Sequence, residues 1–209
     1  MQNQQPSTLK EIRVHGTQDF PCAFYQTGTR IKGNMVKHHW HEEVELLYFS
    51  GGEFCLEVNM ERFNISEECF YVINPGELHS ISVEKNGGCV ENAVVFHMDM
   101  LSSAYALDQI QTNLIQPVQN GSIQFPRCLR KNEPAFEPVR KSYEEIRNVF
   151  GGDSFRENYY DGEAVTDDIT RQLFIKSALL RILAVLSANN LFEVTEKNHD
   201  HRIETIKTT

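Results

Sequence analysis

The stretch Gly33–Gly52, GNMVKHHWHEEVELLYFSGG, decides how this chain is read. Within it His39, His41 and Glu45 follow the spacing H-x-H-x3-E, so all three lie at even separations. On extended chain, even separations share a face. The two imidazoles and the carboxylate are therefore expected to point the same way from one strand, with Leu47 and Phe49 continuing that face. On a helix His39 and His41 would diverge by ~200°, so the spacing has chemical meaning only as a strand. His38 and Trp40 have the opposite parity and are expected to face away, Trp40 as a packing residue. Two imidazoles and a carboxylate make three ligands of an N/O metal site. A fourth donor is His79 in INPGELH, if the Pro75-Gly76 turn folds the next strand back over the first. Three neutral histidines and a carboxylate suit Zn, Ni, Fe or Mn, with positions left open for water or a ligand. The same four groups can instead hold a small molecule through hydrogen bonds without a metal, or serve a structural hydrogen-bond role.

Outward from this stretch the chain falls into two halves. From about Phe24 to His97 it reads as short β segments: Val44–Phe49, Phe54–Val58, Glu61–Ile65, Cys69–Ile73, His79–Val83 and Ala93–His97. Turn residues separate them, at Ser50-Gly51-Gly52, Asn59, Asn74-Pro75-Gly76 and Asn86-Gly87-Gly88. Strands at this spacing predict a sandwich or barrel. After about residue 100 the period becomes helical. Ser102–Ile110 reads as a short helix and Gly121–Pro126 as a strand or extended link. Phe136, Val139, Tyr143, Ile146 and Phe150 recur at steps of three and four, which predicts an amphipathic helix over Pro134–Phe150. A second helix is expected over Asp167–Ala188, capped by Thr166 or Asp167. It is apolar on nearly every side, with a polar wedge at Ser177 and Arg181. The arc Ile175, Leu179, Ile182 and Leu186 is expected either to be left facing water, and so to form a two-fold interface, or to be covered within the chain as ordinary core.

With 209 residues the chain has length for one domain and an appendage. Lys and Arg number 20 against 29 Asp and Glu, a net charge of −9. Such a chain lacks the clustered cations that phosphate binding needs, so direct DNA or RNA binding by these residues is not expected. No apolar run approaches the ~18–20 residues of a membrane span. The polar N-terminus carries no signal-peptide core, which points to the cytoplasm. The five cysteines, Cys22, Cys55, Cys69, Cys89 and Cys128, are an odd number without C-x-x-C spacing, which argues for reduced thiols. His15, His199 and His201 lie in polar terminal sequence and read as solvated. His97 reads as a lone strand histidine, and Glu42 and Glu43 as surface charges.

Gly33-x5-His39-x-His41-x3-Glu45-x6-Gly52 resembles the first cupin motif at every fixed position. The second motif, G-x5-P-x-G-x2-H-x3-N, is met at Gly76 and His79, while Glu68, Asn74 and Val83 depart from it. The shifted Asn74-Pro75-Gly76 resembles one branch, the N-terminal sensor domain of AraC-family transcriptional regulators. HHWHEEVELLYFSGGE, NGSIQFP and IKSALLRILAVL resemble the same branch, and the likeness covers about residues 20–192. It implies a mainly β fold with an α appendage: a cupin double-stranded β-helix barrel followed by two long helices. The implied organisation is an N-terminal arm over 1–20, a barrel sensor over 21–126, a helical dimerisation appendage over 127–192 and, over 193–209, a linker toward an absent helix-turn-helix domain. The implied function is effector sensing and homodimerisation through the helix at 167–188, with DNA contacted only through the absent domain, no catalytic residues, and His39, His41, Glu45 and His79 lining the effector or metal site. A metal-dependent cupin enzyme, a dioxygenase or isomerase, is the rival reading, and a free-standing binding module is a third.

Overall fold

The computed structural model describes residues 9–29, 31–85, 89–105, 107–151 and 168–195. Its strands are β1 (Cys22–Thr29), β2 (Gly33–His39), β3 (Val44–Phe49), β4 (Phe54–Val58), β5 (Glu61–Ile65), β6 (Cys69–Ile73), β7 (His79–Val83), β8 (Cys89–Phe96), β9 (Ile123–Gln124), β10 (Cys128–Arg130) and β11 (Glu193–Val194). The helices are α1 (Gln116–Gln119), α2 (Phe136–Val149) and α3 (Ile169–Ala188). Of the sheets among the described residues, the largest has the order β1-β8-β3-β6-β10, a second the order β2-β7-β4-β5, and a third pairs β11 with β9, with every pairing antiparallel. Apart from the β4–β5 hairpin, consecutive strands from β1 to β8 alternate between the two larger sheets, which is the double-stranded β-helix barrel that the motif implied. Five of the expected strands fall at the expected residues, while the last is longer, Cys89–Phe96 in place of Ala93–His97.

Two apolar cores share the wall formed by the first sheet. Along β3 the alternation is strict. Leu47 and Phe49 pack inside the barrel with Phe54, Leu56, Ile73 and Ile81. Val44 and Leu46 turn outward into a second core with Phe70, Phe136, Tyr143 and the buried side of α3. The stripe expected on α2 is buried as a unit, and its rings meet the sheet directly, Phe70 lying 5.4 Å from Phe136 and 5.3 Å from Tyr143 between centroids.

Three expectations about the helical half are corrected. Ser102–Ile110 does not form one helix. The carboxylate of Asp108 accepts the N–H groups of Ile110 and Gln111, at 2.8 and 3.3 Å, so the helical turns begin after it. They continue as a π-helical turn, Gln111–Ile115, into α1. Pro117 lacks the N–H that a regular helix would use there. The cap of α3 is Asp168, which accepts from the N–H groups of Thr170 and Arg171; Thr166 and Asp167 lie outside the described residues. Ile175, Leu179, Ile182 and Leu186 do not face water. They are at most 4% exposed and fill the second core, while Ile169, Leu173, Phe174 and Leu180 are the exposed apolar residues of this helix. Among the described residues no helix is long and apolar enough to cross a membrane. Cys22, Cys55, Cys69 and Cys128 are free thiols.

An ion pair between the buried Glu77 and the half-buried Arg127 ties the barrel to the chain that leads into α2. The carboxylate of Glu77 receives both terminal nitrogens of Arg127, Nη1 at 2.7 Å and Nη2 closer still, and also the backbone N–H of Asn74 at 2.8 Å. Arg127 Nη1 also donates to the carbonyl of Val72. Asn74 in turn accepts the N–H of Phe125 at 2.8 Å. Removing one partner strands a desolvated charge. Arg127→Ala is therefore expected to lower stability to urea by about 3 kcal/mol. Arg127→Lys is expected to recover only part of that, because one ammonium cannot span both oxygens and the Val72 carbonyl. Equal stability of Arg127→Lys and wild type in urea titrations would show that the forked geometry is irrelevant.

Candidate functional site

The strand expected to carry His39, His41 and Glu45 is broken. His39 ends β2 in one sheet, Glu45 belongs to β3 in the other, and the chain crosses between them at residues 40–43. The three side chains still converge, because the crossing stretch is pinned: the N–H of Gly76 donates to the carbonyl of His41 at 2.7 Å. Gly76 has a φ of +80°, which a residue with a side chain adopts only under strain. His79, the first residue of β7, pairs in register with His39. Leu78 before it is clasped by Asn59, donating to the side-chain oxygen at 3.1 Å and accepting from the backbone N–H at 2.8 Å. The rings of His39 and His79 lie 4.2 Å apart and those of His41 and His79 5.1 Å apart. The four expected site residues therefore meet, drawn from both sheets.

Each of these imidazoles is held by its outer nitrogen. Nδ1 of His39 meets the carbonyl of Lys37 at 2.8 Å, that of His41 the carbonyl of Glu43 at 3.2 Å, and that of His79 the carbonyl of Glu77 at 2.9 Å. A carbonyl only accepts, so Nδ1 carries the hydrogen and a neutral ring presents the lone pair of Nε2 inward. Nε2 of His41 and of His79 lie 3.4 and 3.0 Å from Glu45 Oε2. The buried Nε2 of His79 nevertheless has no well-aligned hydrogen-bond partner. A lone pair facing a carboxylate needs a proton or a cation between them. Outer anchoring of Nδ1 with Nε2 turned inward is how proteins orient histidine toward a metal, and His39, His41 and His79 place donor atoms within 4.8 Å of one another. The donor set thus fits a divalent transition metal.

The charges in the cluster are interdependent. Burial alone would raise the Glu45 carboxyl, but His41 and His79 outweigh it and hold the group well below the usual carboxylate range. Burial depresses His41, yet Glu45, with smaller help from Glu43 and Glu11, more than offsets it and leaves the imidazole raised. At His39 burial, followed by the neighbouring charge of His79, wins, and its affinity for a proton falls.

A cavity of about 370 Å³ opens beside the cluster, lined by His39, His41 and Glu45 and by groups that sequence reading missed. His79 is not on its wall; it lies behind, only 1% exposed. His15, expected to be solvated, is 4% exposed and lines the cavity, its Nδ1 2.8 Å from the Tyr25 hydroxyl. Nothing in its polar surroundings in sequence marked it. Glu11 lies over His39 and His15, with Oε2 3.4 and 3.3 Å from their Nε2 atoms. Burial raises the Glu11 carboxyl, but His15, His39 and His41 together bring it below its ordinary value. Glu43 is less a surface charge than expected, its carboxylate 3.6 Å from His41 Nδ1, whereas Glu42 is exposed and paired with Lys10. His38 faces out, as its parity required, against Glu57. His97 sits just past β8 and accepts the N–H of Asp99. His199 and His201 lie outside the described residues.

The AraC-like ligand binding domain family matches this sequence over residues 26–148, more than half of it. The chain belongs to that family. An uncharacterized HTH-type transcriptional regulator of Bacillus subtilis (strain 168), YdeC, is 28% identical over 114 residues, which cover 51% of this chain and 39% of that protein. The chain thus matches well under half the length of that relative. Among solved structures, a predicted oxalate decarboxylase from Thermotoga maritima is 24% identical with a TM-score of 0.33, covering 35% of this chain and 64% of that one. A cupin protein from Bacteroides fragilis is 14% identical with a TM-score of 0.35, covering 42% of this chain and 75% of that one.

In this AraC-like domain the floor of the cavity carries a buried acid, Glu91 of β8, 2% exposed, with Ala93 and Val95 on the same face. Its Oε1 has no hydrogen-bond partner. Burial, reinforced by the charge of Glu45, pushes its carboxyl well above the ordinary value of 4.5. Below that value both folded and unfolded chains keep the proton. As pH rises past it the unfolded chain ionises first, so stability falls until the folded carboxyl also ionises. Glu91→Gln removes this loss. Thermal unfolding is expected to show the variant matching wild type near pH 4 and melting higher at pH 7.5. The gain should be roughly 3–5 °C for each unit by which the carboxyl is raised. A difference independent of pH would mean that Glu91 is not held as a buried acid.

Proposed function

We propose that this chain is the effector-sensing and dimerisation part of an AraC-family transcriptional regulator, acting in the cytoplasm. The single observation that carries the reading is the cavity beside His39, His41 and Glu45, whose walls combine oriented imidazoles with the unpartnered Glu91 carboxyl. Family membership and the regulator relative support it. The effector is a small polar molecule with a hydrogen-bonding group for Glu91 and another for the imidazole end. His39, His41, Glu45 and His79 are the residues that would hold a divalent metal (Zn, Ni, Fe or Mn), which there would supply a Lewis-acidic contact for the effector. DNA is bound through a separate helix-turn-helix domain. In this reading the arm covers 1–20, the barrel 21–126, the helical appendage 127–192 and the linker 193–209. An effector acts as a switch only by binding one arrangement of these parts better than another.

Dimerisation falls to the outer face of α3. Ile169, Leu173 and Leu180 recur at steps of four and seven and are exposed, as is Phe174 beside them. Burying each such side chain contributes ~1.5–3 kcal/mol, and two-fold symmetry doubles the set. Leu180→Glu is expected to yield a folded monomer in light scattering at micromolar concentration, whereas Ile182→Glu, in the internal core, is expected to unfold. A monomeric wild type would remove this interface.

The effector site is tested in the full regulator with a reporter. Glu45→Ala and His79→Ala are each expected to abolish the response to the effector while leaving the dimer intact by sedimentation. An unchanged response in both would take these residues out of the site. A metal-dependent cupin enzyme draws on the same anchored donor set. Oxygen uptake or an isomerisation by the purified, metal-loaded protein would favour it, as a dioxygenase or isomerase.

A further inference from the structure

We propose that the segment before the first strand supplies two ligands of its own, Glu11 and His15, to a divalent transition metal that it shares with His41, so that one ion at the cavity mouth holds this segment against the barrel. The inference deepens the proposed function by giving the mouth of the effector cavity a chemistry, and rests on that reading for its purpose but not for its geometry.

The donor atoms of Glu11, His15 and His41 lie within 4.8 Å of one another. Glu11 Oε2 and His15 Nε2 are 3.3 Å apart, near the spacing of about 3.4 Å that two ligands on bonds of ~2.0–2.1 Å take around tetrahedral zinc. The His15 ring is positioned by its Nδ1, 2.8 Å from the Tyr25 hydroxyl; the hydroxyl can accept from Nδ1–H, and in that tautomer Nε2 presents its lone pair. Its Nε2 is buried, turned toward Glu11 and His41, and without a well-aligned hydrogen-bond partner. A buried, outwardly anchored imidazole whose inner nitrogen faces a carboxylate is the arrangement that a metal completes.

The backbone delivers these groups on a short tether. The N–H of Glu11 donates to the carbonyl of Trp40 at 2.9 Å, and the N–H of Trp40 to the carbonyl of Leu9 at 3.0 Å, so the segment pairs with the crossing stretch between His39 and His41. On the other side Gly16 closes a turn so tight that a side chain there would meet the Phe20 and Cys22 carbonyl oxygens at 2.5 Å. Glu11 and His15 are held between these two fixed points. An N,N,O set with two imidazoles suits zinc. Because His41 is common to this set and to the barrel set, one ion selects between holding the segment and sitting deeper in the barrel.

The test uses tag-free protein and zinc chloride alone. Affinity is read by competition with a chromophoric chelator, and hydrogen exchange of residues 9–20 is followed by mass spectrometry. Zinc is expected to slow exchange across 9–20 in wild type. Glu11→Gln, a substitution at the cavity mouth rather than in the core, is expected to weaken zinc binding by about tenfold or more and to remove that protection. His15→Gln should do the same, and His79→Gln should keep the protection. Protection and affinity unchanged in Glu11→Gln, with both lost in His79→Gln, would overturn the inference in favour of the barrel set alone and leave the proposed function standing. A wild type that binds no zinc would overturn it too, and the reporter response of Glu45→Ala would still judge the effector site separately.

Discussion

The carboxylate of Glu77 is enclosed between the turn that precedes β7 and the link that leads to α2, and two nitrogens of Arg127 and the N–H of Asn74 converge on it. Its own backbone carbonyl receives Nδ1 of His79. One residue therefore holds the His79 imidazole of the candidate site through its main chain and the link to the helical half through its side chain. In a buried setting such a pair is held less by net attraction than by the cost of separating it. The turn, the histidine and the link must consequently stay in one mutual arrangement or move together.

The wall that separates the two cores gives this coupling a second route. β3 presents Glu45 and Leu47 to the barrel interior and Val44 and Leu46 to the helices. A protein interior packed at crystal density passes small displacements on rather than absorbing them. A change in the rotamer or protonation of Glu45 is thus felt one residue away by side chains that touch the core of α2 and α3. In the proposed sensing role, this single-layer wall, with polar groups on one face and packing on the other, is the route by which the contents of the cavity would reach the helices.

Much of this was legible in the sequence. The H-x-H-x3-E spacing picked out the residues that cluster, although they converge through the pinned crossing and not through the parity of one strand; the turn residues delimited five strands because turn preferences are local. The α2 stripe was legible for the same reason. What escaped was tertiary. The break between His39 and Val44 depends on the chain changing sheets, which no local pattern announces. His15 looked solvated because its neighbours in sequence are polar; it is buried because Gly16 turns the chain and Tyr25 waits across the gap. Glu91 could have been found, since the parity of Glu91, Ala93 and Val95 points one way, but an acid on an inward face reads as an error until the cavity is seen. The apolar circumference of α3 showed that it needs cover on more than one side, but not which side the barrel supplies. That depended on where Phe70, Val72 and Tyr143 stand.

The crossing at residues 40–43 has a mechanical consequence. The donors sit on either side of the seam where the two sheets meet: His39 and His79 on one, Glu45 on the other, His41 on the bridge between. Anything that grips all four spans that seam like a rivet through two plates. Sheets in a barrel of this kind shear against each other more readily than strands part within a sheet, because only side chains, not hydrogen-bond ladders, resist the sliding. An occupant held by all four would resist sliding of one sheet over the other, so the barrel's resistance to shear would itself change with occupancy.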